Sequence, residues 1–237
     1  MTLNELKSKQ AHIEKLILTL GNNPKPVLDG VLNPELYLKA SPKILWVLQE
    51  AYDTKGKRGG WRMSELIDRF VKEKGFGTTR PTWEMILYVS WSILNRKNNA
   101  LTRWNLMPDH DKEPEIISTL YNIAFINVKK LPNVVDSRSR KAAIAQAYGN
   151  NREILHAQIS AYQPDIIIFG NTMTYFYERI VEEQRIVKYS SCTNYYLNDK
   201  QLLIDVYHPA YRKSRKLREV YCNEILEVVE NQWFNRK

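Results

Sequence analysis

Four short apolar runs, residues 44–48, 123–128, 166–169 and 202–206, decide what this chain can fold into. Each is continuous rather than alternating, the mark of a strand covered on both faces, and each is too short for a buried helix. Helical periodicity fills the intervals. Strands that alternate with helices imply right-handed crossovers and a mostly parallel sheet, with ligands at the carboxyl ends of the strands. The expected fold is therefore α/β: three layers, α/β/α, around a central, mostly parallel four-stranded sheet.

The helical pattern begins at once. Thr2 and Glu5 have the spacing of a capping box, and Leu3, Leu6, Ile13, Leu16, Ile17 and Leu20 share one stripe that ends at Gly21. Residues 22–43 read as a connection with one short turn at 34–37. Helices are predicted over 64–74, 81–94, 114–120, 137–162 with a break at 149–151, 172–180 and 215–232, and a weak edge strand over 185–189. Residues 95–113 read as irregular. No repeat, biased tract or linker divides the chain, so a single domain over 1–237 is expected, with 1–40 as a helical extension packed on it.

Charge narrows the partners. A formal net charge of +9 favours anionic ligands, nucleic acid or phosphorylated molecules, over acidic proteins or neutral sugars. Cys192 and Cys222 are isolated, so thiolates of this chain alone build neither a zinc site nor an iron–sulfur cluster. No apolar run approaches a membrane span and no cleavable signal is visible, so a soluble, reducing, cytoplasmic setting and a monomer are expected.

The strand-end rule selects the loops after Leu48, Val128, Phe169 and Val206. The last is the densest in chemistry. Pro209 cannot continue a ladder, so the chain leaves the sheet beside His208, and Arg212, Lys213, Arg215, Lys216 and Arg218 follow at once. A solvated histidine in a basic loop is the alternative at this point.

Taken together in order, the four strand ends resemble the uracil-DNA glycosylase superfamily, nearest in motifs to its iron–sulfur class. The stretch ILWVLQEAYD (44–53) is similar to that class's strand followed by Gly-Glu-Ala-Pro-Gly, with Glu50 and Ala51 kept. IAFINVKKLP (123–132) resembles its strand ending in Thr-Asn-Val-Val-Lys-Cys-Arg-Pro, PDIIIFG (164–170) its Pro-x-x-Ile-x-x-Leu-Gly strand, and VYHPAY (206–211) its Tyr-His-Pro-Ser motif. The match spans roughly residues 40 to 220. Gln49, Tyr52, Asp53 and Ala210 replace family residues, and the cluster cysteines are absent, so no cofactor and no metal is implied.

The resemblance implies a DNA base-excision hydrolase. Cleaving the N-glycosidic bond leaves an anionic base and an oxocarbenium-like sugar, so the site must stabilise charge on the base and position water. His208 would donate to the leaving base's carbonyl oxygen. Glu50 would position water or face the cationic sugar, with Asp53 its rival; alternatively Glu50 pairs within its own loop with Lys55, Lys57 and Arg58. Asn127 would read the base edge, or form an Asx-turn at its strand end. Tyr52 and Trp61 are candidates to stack on the flipped base, Trp61 being otherwise a core residue. Tyr211 would be the wedge that fills the vacated stack, or a surface packing residue. Lys55, Lys57, Arg58, Lys129, Lys130, Arg138, Arg140, Lys141 and the cations from Arg212 to Arg218 would contact DNA phosphates, in single or double strands. Two rivals remain: a glycosylase-like module that binds nucleic acid without cutting it, and a phosphate-ester hydrolase assembled from Glu50, Asp53 and Asp205.

Overall fold

The computed structural model describes residues 1–53, 58–97, 100–134, 139–177, 179–211 and 214–236, without the side chains of Gln184 and Tyr211. Helix α1 (Leu3–Leu18) opens at the capping box: Thr2 Oγ1 accepts from the Glu5 amide at 3.2 Å, and Glu5 Oε2 accepts from the Thr2 amide at 2.6 Å. There follow β1 (Gly30–Val31), α2 (Pro34–Lys39), β2 (Ile44–Tyr52), α3 (Met63–Glu73), α4 (Arg80–Leu94), a 3-10 segment (Pro114–Asn122) and β3 (Ala124–Asn133). The second half contains α5 (Lys141–Tyr162), β4 (Ile166–Gly170), β5 (Val187–Lys188), β6 (Thr193–Leu197), β7 (Leu202–Val206) and α6 (Arg215–Val229).

The strands form one mixed sheet in the order β1-β3-β2-β4-β7-β6-β5. The four expected strands are its parallel centre, β3-β2-β4-β7, and β1, β6 and β5 extend it in antiparallel fashion. The four-stranded expectation thus lacks β1 and β6, while β5 falls within the weak edge strand expected over 185–189. The sequence of β6, TNYYL, lacks an apolar run, and the two residues of β1 lie inside the polar 22–43 connection.

Alternation along the central strands shows why they are apolar throughout. Ile44, Trp46 and Leu48 point into a core shared with α3, α4 and α6, whereas Leu45 and Val47 point into a second core with α1 and α5. Burial on both faces removes any polar position from such a strand.

Two helix expectations are corrected. Helix α5 runs through Gly149-Asn150-Asn151 without a break, because the Asn151 side chain is buried and donates to the Val128 carbonyl at 2.9 Å. A packed tertiary contact of this kind overrides the roughly 1 kcal/mol of helix propensity a glycine forfeits. After β4, a single 3-10 turn (Met173–Phe176) stands in place of the helix expected over 172–180.

The outer side of β3 is covered by the segment leading into β1. Val27 N–H donates to the Lys130 carbonyl at 2.9 Å, and the Asp29 carboxylate accepts the Asn127 amide at 2.7 Å. Among the described residues, no helix is long and apolar enough to cross a membrane.

Candidate functional site

Because β3, β2, β4 and β7 are parallel neighbours, the four motif-bearing strands end along one edge of the sheet. Its centre is the exit of β4. A Cβ added to Gly170 would lie 2.3 Å from Leu48 Cδ2, 3.3 Å from Pro209 Cδ and 3.7 Å from the His208 Cα, so a glycine lets β2 and the His208-Pro209 turn close on β4. Thr172 Oγ1, buried, donates to the Val47 carbonyl at 2.8 Å, and Gln49 Nε2 donates to the Asn171 carbonyl at 3.4 Å. These contacts tie the loop after β4 to β2.

His208 leaves β7 ahead of a short 3-10 turn, Pro209–Tyr211. Its Nδ1 lies 3.2 Å from the Ala210 amide nitrogen and accepts that hydrogen. With Nδ1 occupied as acceptor, a neutral ring carries its proton on Nε2. Any residue but proline at 210 supplies the same amide, so the contact does not depend on the Ala210 side chain.

At the other end of the edge Glu50 is buried and saturated. Its Oε1 accepts the Ser139 amide at 2.7 Å and the Asn133 side chain at 3.4 Å; its Oε2 accepts Ser139 Oγ at 2.6 Å and Lys129 Nζ at 2.9 Å. Burial pushes this carboxyl up, but the Ser139 hydrogen bonds and the Lys129 ammonium outweigh it and hold the group below its ordinary range. Glu50 is therefore a paired carboxylate, and its partners among the described residues come from β3 and the segment before α5. Asp53, also buried, accepts the Gly59 amide at 2.7 Å and braces the loop before α3.

Asn127 is corrected in position. Strand β3 continues to Asn133, so Asn127 sits mid-strand opposite Leu48, one alternation before the Glu50–Lys129 rung. It forms no Asx-turn. Its amide N–H goes to Asp29, while its side-chain Oδ1 is buried without a hydrogen-bond partner among the described residues, at 2 % residue exposure.

Lys130 does not reach solvent and cannot serve as a phosphate contact. It is 1 % exposed, and its Nζ donates to Asp29 Oδ1 and to Gln158 Oε1, both at 2.7 Å. Burial pulls this ammonium below its ordinary value, against the attraction of Asp29. Lys129 is committed to Glu50 and Ser139. Arg218, the last cation of the basic run, turns inward onto Glu84 at 2.6 Å and fastens α6 to α4.

Arg58 donates to Asn23 at 3.2 Å from an exposed position. Arg215 and Lys216 are exposed at the start of α6, and Arg140 and Lys141 are exposed at the start of α5. Trp61 is half-buried against the core, and Tyr52 is exposed at the end of β2. Lys55, Lys57, Arg138, Arg212 and Lys213, and the side chain of Tyr211, lie outside the described residues.

Two contributors escape sequence reasoning: Asp29 lies in a polar connection and Ser139 beyond any motif, whereas Asp205, inside an apolar strand, is a candidate only of the phosphate-ester alternative. Burial pushes the Asp205 carboxyl up to about 6, against hydrogen bonds from the Met173 amide and the Asn194 side chain, and its Oδ1 is buried without a partner among the described residues. Only the lone acid in the run LLIDV signals it. No protein-family model matches the chain, and no curated protein matches it.

Proposed function

We propose that this chain binds nucleic acid along the carboxyl edge of its sheet and hydrolyses the N-glycosidic bond of a flipped uracil or other modified base. The observation that carries this reading is the His208 ring: with Nδ1 accepting the Ala210 amide, a neutral imidazole offers its hydrogen from Nε2. As the C1′–N bond breaks, its electron pair passes to the base, and that Nε2–H stabilises the charge gathering on the base's carbonyl oxygen. Water adds to the sugar carbon and gives its proton to solvent or to the departing base, leaving an abasic site.

Asn127 supports the reading. A buried amide oxygen without a partner costs about 1–3 kcal/mol, which a donor on a base edge would offset. Glu50, with all its lone pairs engaged, acts as a fixed negative charge facing the cationic sugar rather than as a base for water.

Oligonucleotides carrying uracil, hypoxanthine or xanthine, single- and double-stranded, test this by abasic-site formation. His208→Ala should lower the rate by about 100- to 1,000-fold. Full excision activity without His208 overturns the assignment. The saturation of Glu50 favours one second reading, a module that holds a base without cutting it; tight binding with no abasic product on any substrate would select it.

A further inference from the structure

Three tyrosines are exposed among the described residues: Tyr52 at 48 %, Tyr207 at 40 % and Tyr189 at 38 %. Tyr189 follows β5 at the far margin of the sheet, and its hydroxyl is committed to Glu227. The other two share the carboxyl edge. Tyr52 is the last residue of β2 and Tyr207 the first after β7, on either side of the β4 exit. Two strand spacings separate β2 from β7, about 10 Å.

The surroundings suit a polyanion. Exposed Arg58, Arg140 and Lys141 lie in the loops and helix start that follow β2 and β3, and exposed Arg215 and Lys216 in the helix that follows β7. Two acids of the edge are spent internally, Glu50 on Lys129 and Ser139 and Asp53 on Gly59, and burial pushes the third, Asp205, up to about 6. Between the two strand ends, the exit of β4 brings Gly170 and Asn171, the latter bonded to the Gln49 amide, none of them charged. Aromatic rings on a basic surface capture bases that are not already stacked in a duplex, whereas a duplex offers such rings only its phosphates.

We infer that this edge binds single-stranded nucleic acid, with Tyr52 and Tyr207 stacking on separate bases and the flanking cations following the backbone. The inference rests on the carboxyl edge being a nucleic-acid surface, as proposed above, and adds the strandedness of the substrate and a stacking role for Tyr207. Removing one ring should weaken binding to a single strand and leave binding to a duplex unchanged.

The test is fluorescence anisotropy with short unmodified oligonucleotides: single-stranded DNA, its duplex, and RNA of the same sequence. Single strands should bind more tightly than the duplex. Tyr207→Ala should weaken single-strand binding by about 5- to 150-fold, the range for one lost stacking contact, and Tyr207→Phe should restore it. Duplex affinity and the slope of affinity against salt should not change, because every cation remains. The DNA and RNA arms identify the sugar, and in either case the Tyr207 effect must appear. Single-strand affinity unaffected by both Tyr207→Ala and Tyr52→Ala, or a duplex bound as tightly as a single strand, overturns the inference. Because these oligonucleotides contain no modified base, the outcome is independent of excision: single-strand preference here, with no abasic product from the oligonucleotides that carry modified bases, sinks only the glycosylase chemistry.

Discussion

Among the described residues, Glu50 at the β2–β3 end of the carboxyl edge accepts from four donors and is held ionised, whereas at the β4–β7 end Asp205 keeps one buried oxygen without a partner and its carboxyl is pushed up to about 6. Both acids sit near the ends of parallel strands. The difference comes from what the rest of the chain brings to them. Ser139, 89 residues after Glu50, delivers two of its four donors, while Asp205 meets the turn after β4 and a neighbouring strand. A carboxylate's place in a motif therefore does not decide whether it can exchange a proton; the donors that converge on it do.

The largest test of this contrast lies beneath the saturated end. Lys130→Met would leave Asp29 buried without its countercharge, with the Asn127 amide and Gln158 as remaining donors. Removing one partner of a buried pair costs about 3–5 kcal/mol, read as a lower urea midpoint at unchanged slope. A loss no larger than that of an exposed pair, about 0–1 kcal/mol, would mean that Asp29 finds water instead.

Asp205 gives a smaller and pH-dependent effect. Its folded value, about 6, lies above the ordinary 3.8, so the folded chain holds this proton more tightly than the unfolded chain. The resulting stability is fully present below pH 3.8 and is lost as pH rises to about 6, a change of about 3 kcal/mol. Asp205→Asn abolishes that loss. The substituted protein should gain on its parent in thermal midpoint between pH 4 and pH 7, and a difference that does not vary with pH would break the contrast.

The smallest effect belongs to Lys129→Met. Glu50 keeps both Ser139 hydrogen bonds, and Lys129 is partly exposed, so about 1 kcal/mol is expected at neutral pH. The Glu50 carboxyl should titrate closer to its ordinary range, which carboxylate NMR can follow. Its contribution to stability, present above the unfolded value and lost as pH falls through the folded one, should shrink accordingly.

These residues also mark how far the sequence could be read. The four parallel strands were legible because burial on both faces leaves a continuous apolar run, and α1 because its cap and stripe are local. Strand β6 was not, since its residues meet the sheet through polar and aromatic side chains. The continuity of α5 was not, since Asn151 reads as a helix breaker until the Val128 carbonyl is placed beside it. In the candidate site the positions of His208 and Tyr52 could be anticipated, because strand exits are local features. The fate of the charges could not. Lys129 and Lys130 are adjacent and chemically alike, yet one salt bridge is at the margin of the site and the other is wholly interior, fixed by Asp29 and Gln158 from distant segments.

The segment from Val27 to Val31 has a consequence for encounters between molecules. A bare outer strand is a template on which another chain can build further sheet, and β3 is ten residues long. Here Val27, the Asp29 carboxylate and the two residues of β1 occupy donors and acceptors along that strand. At the opposite margin β5 spans two residues and ends in an exposed lysine, too short and too charged to recruit a neighbour. The molecule thus guards both margins against runaway sheet growth, by a clamp on one side and by brevity on the other.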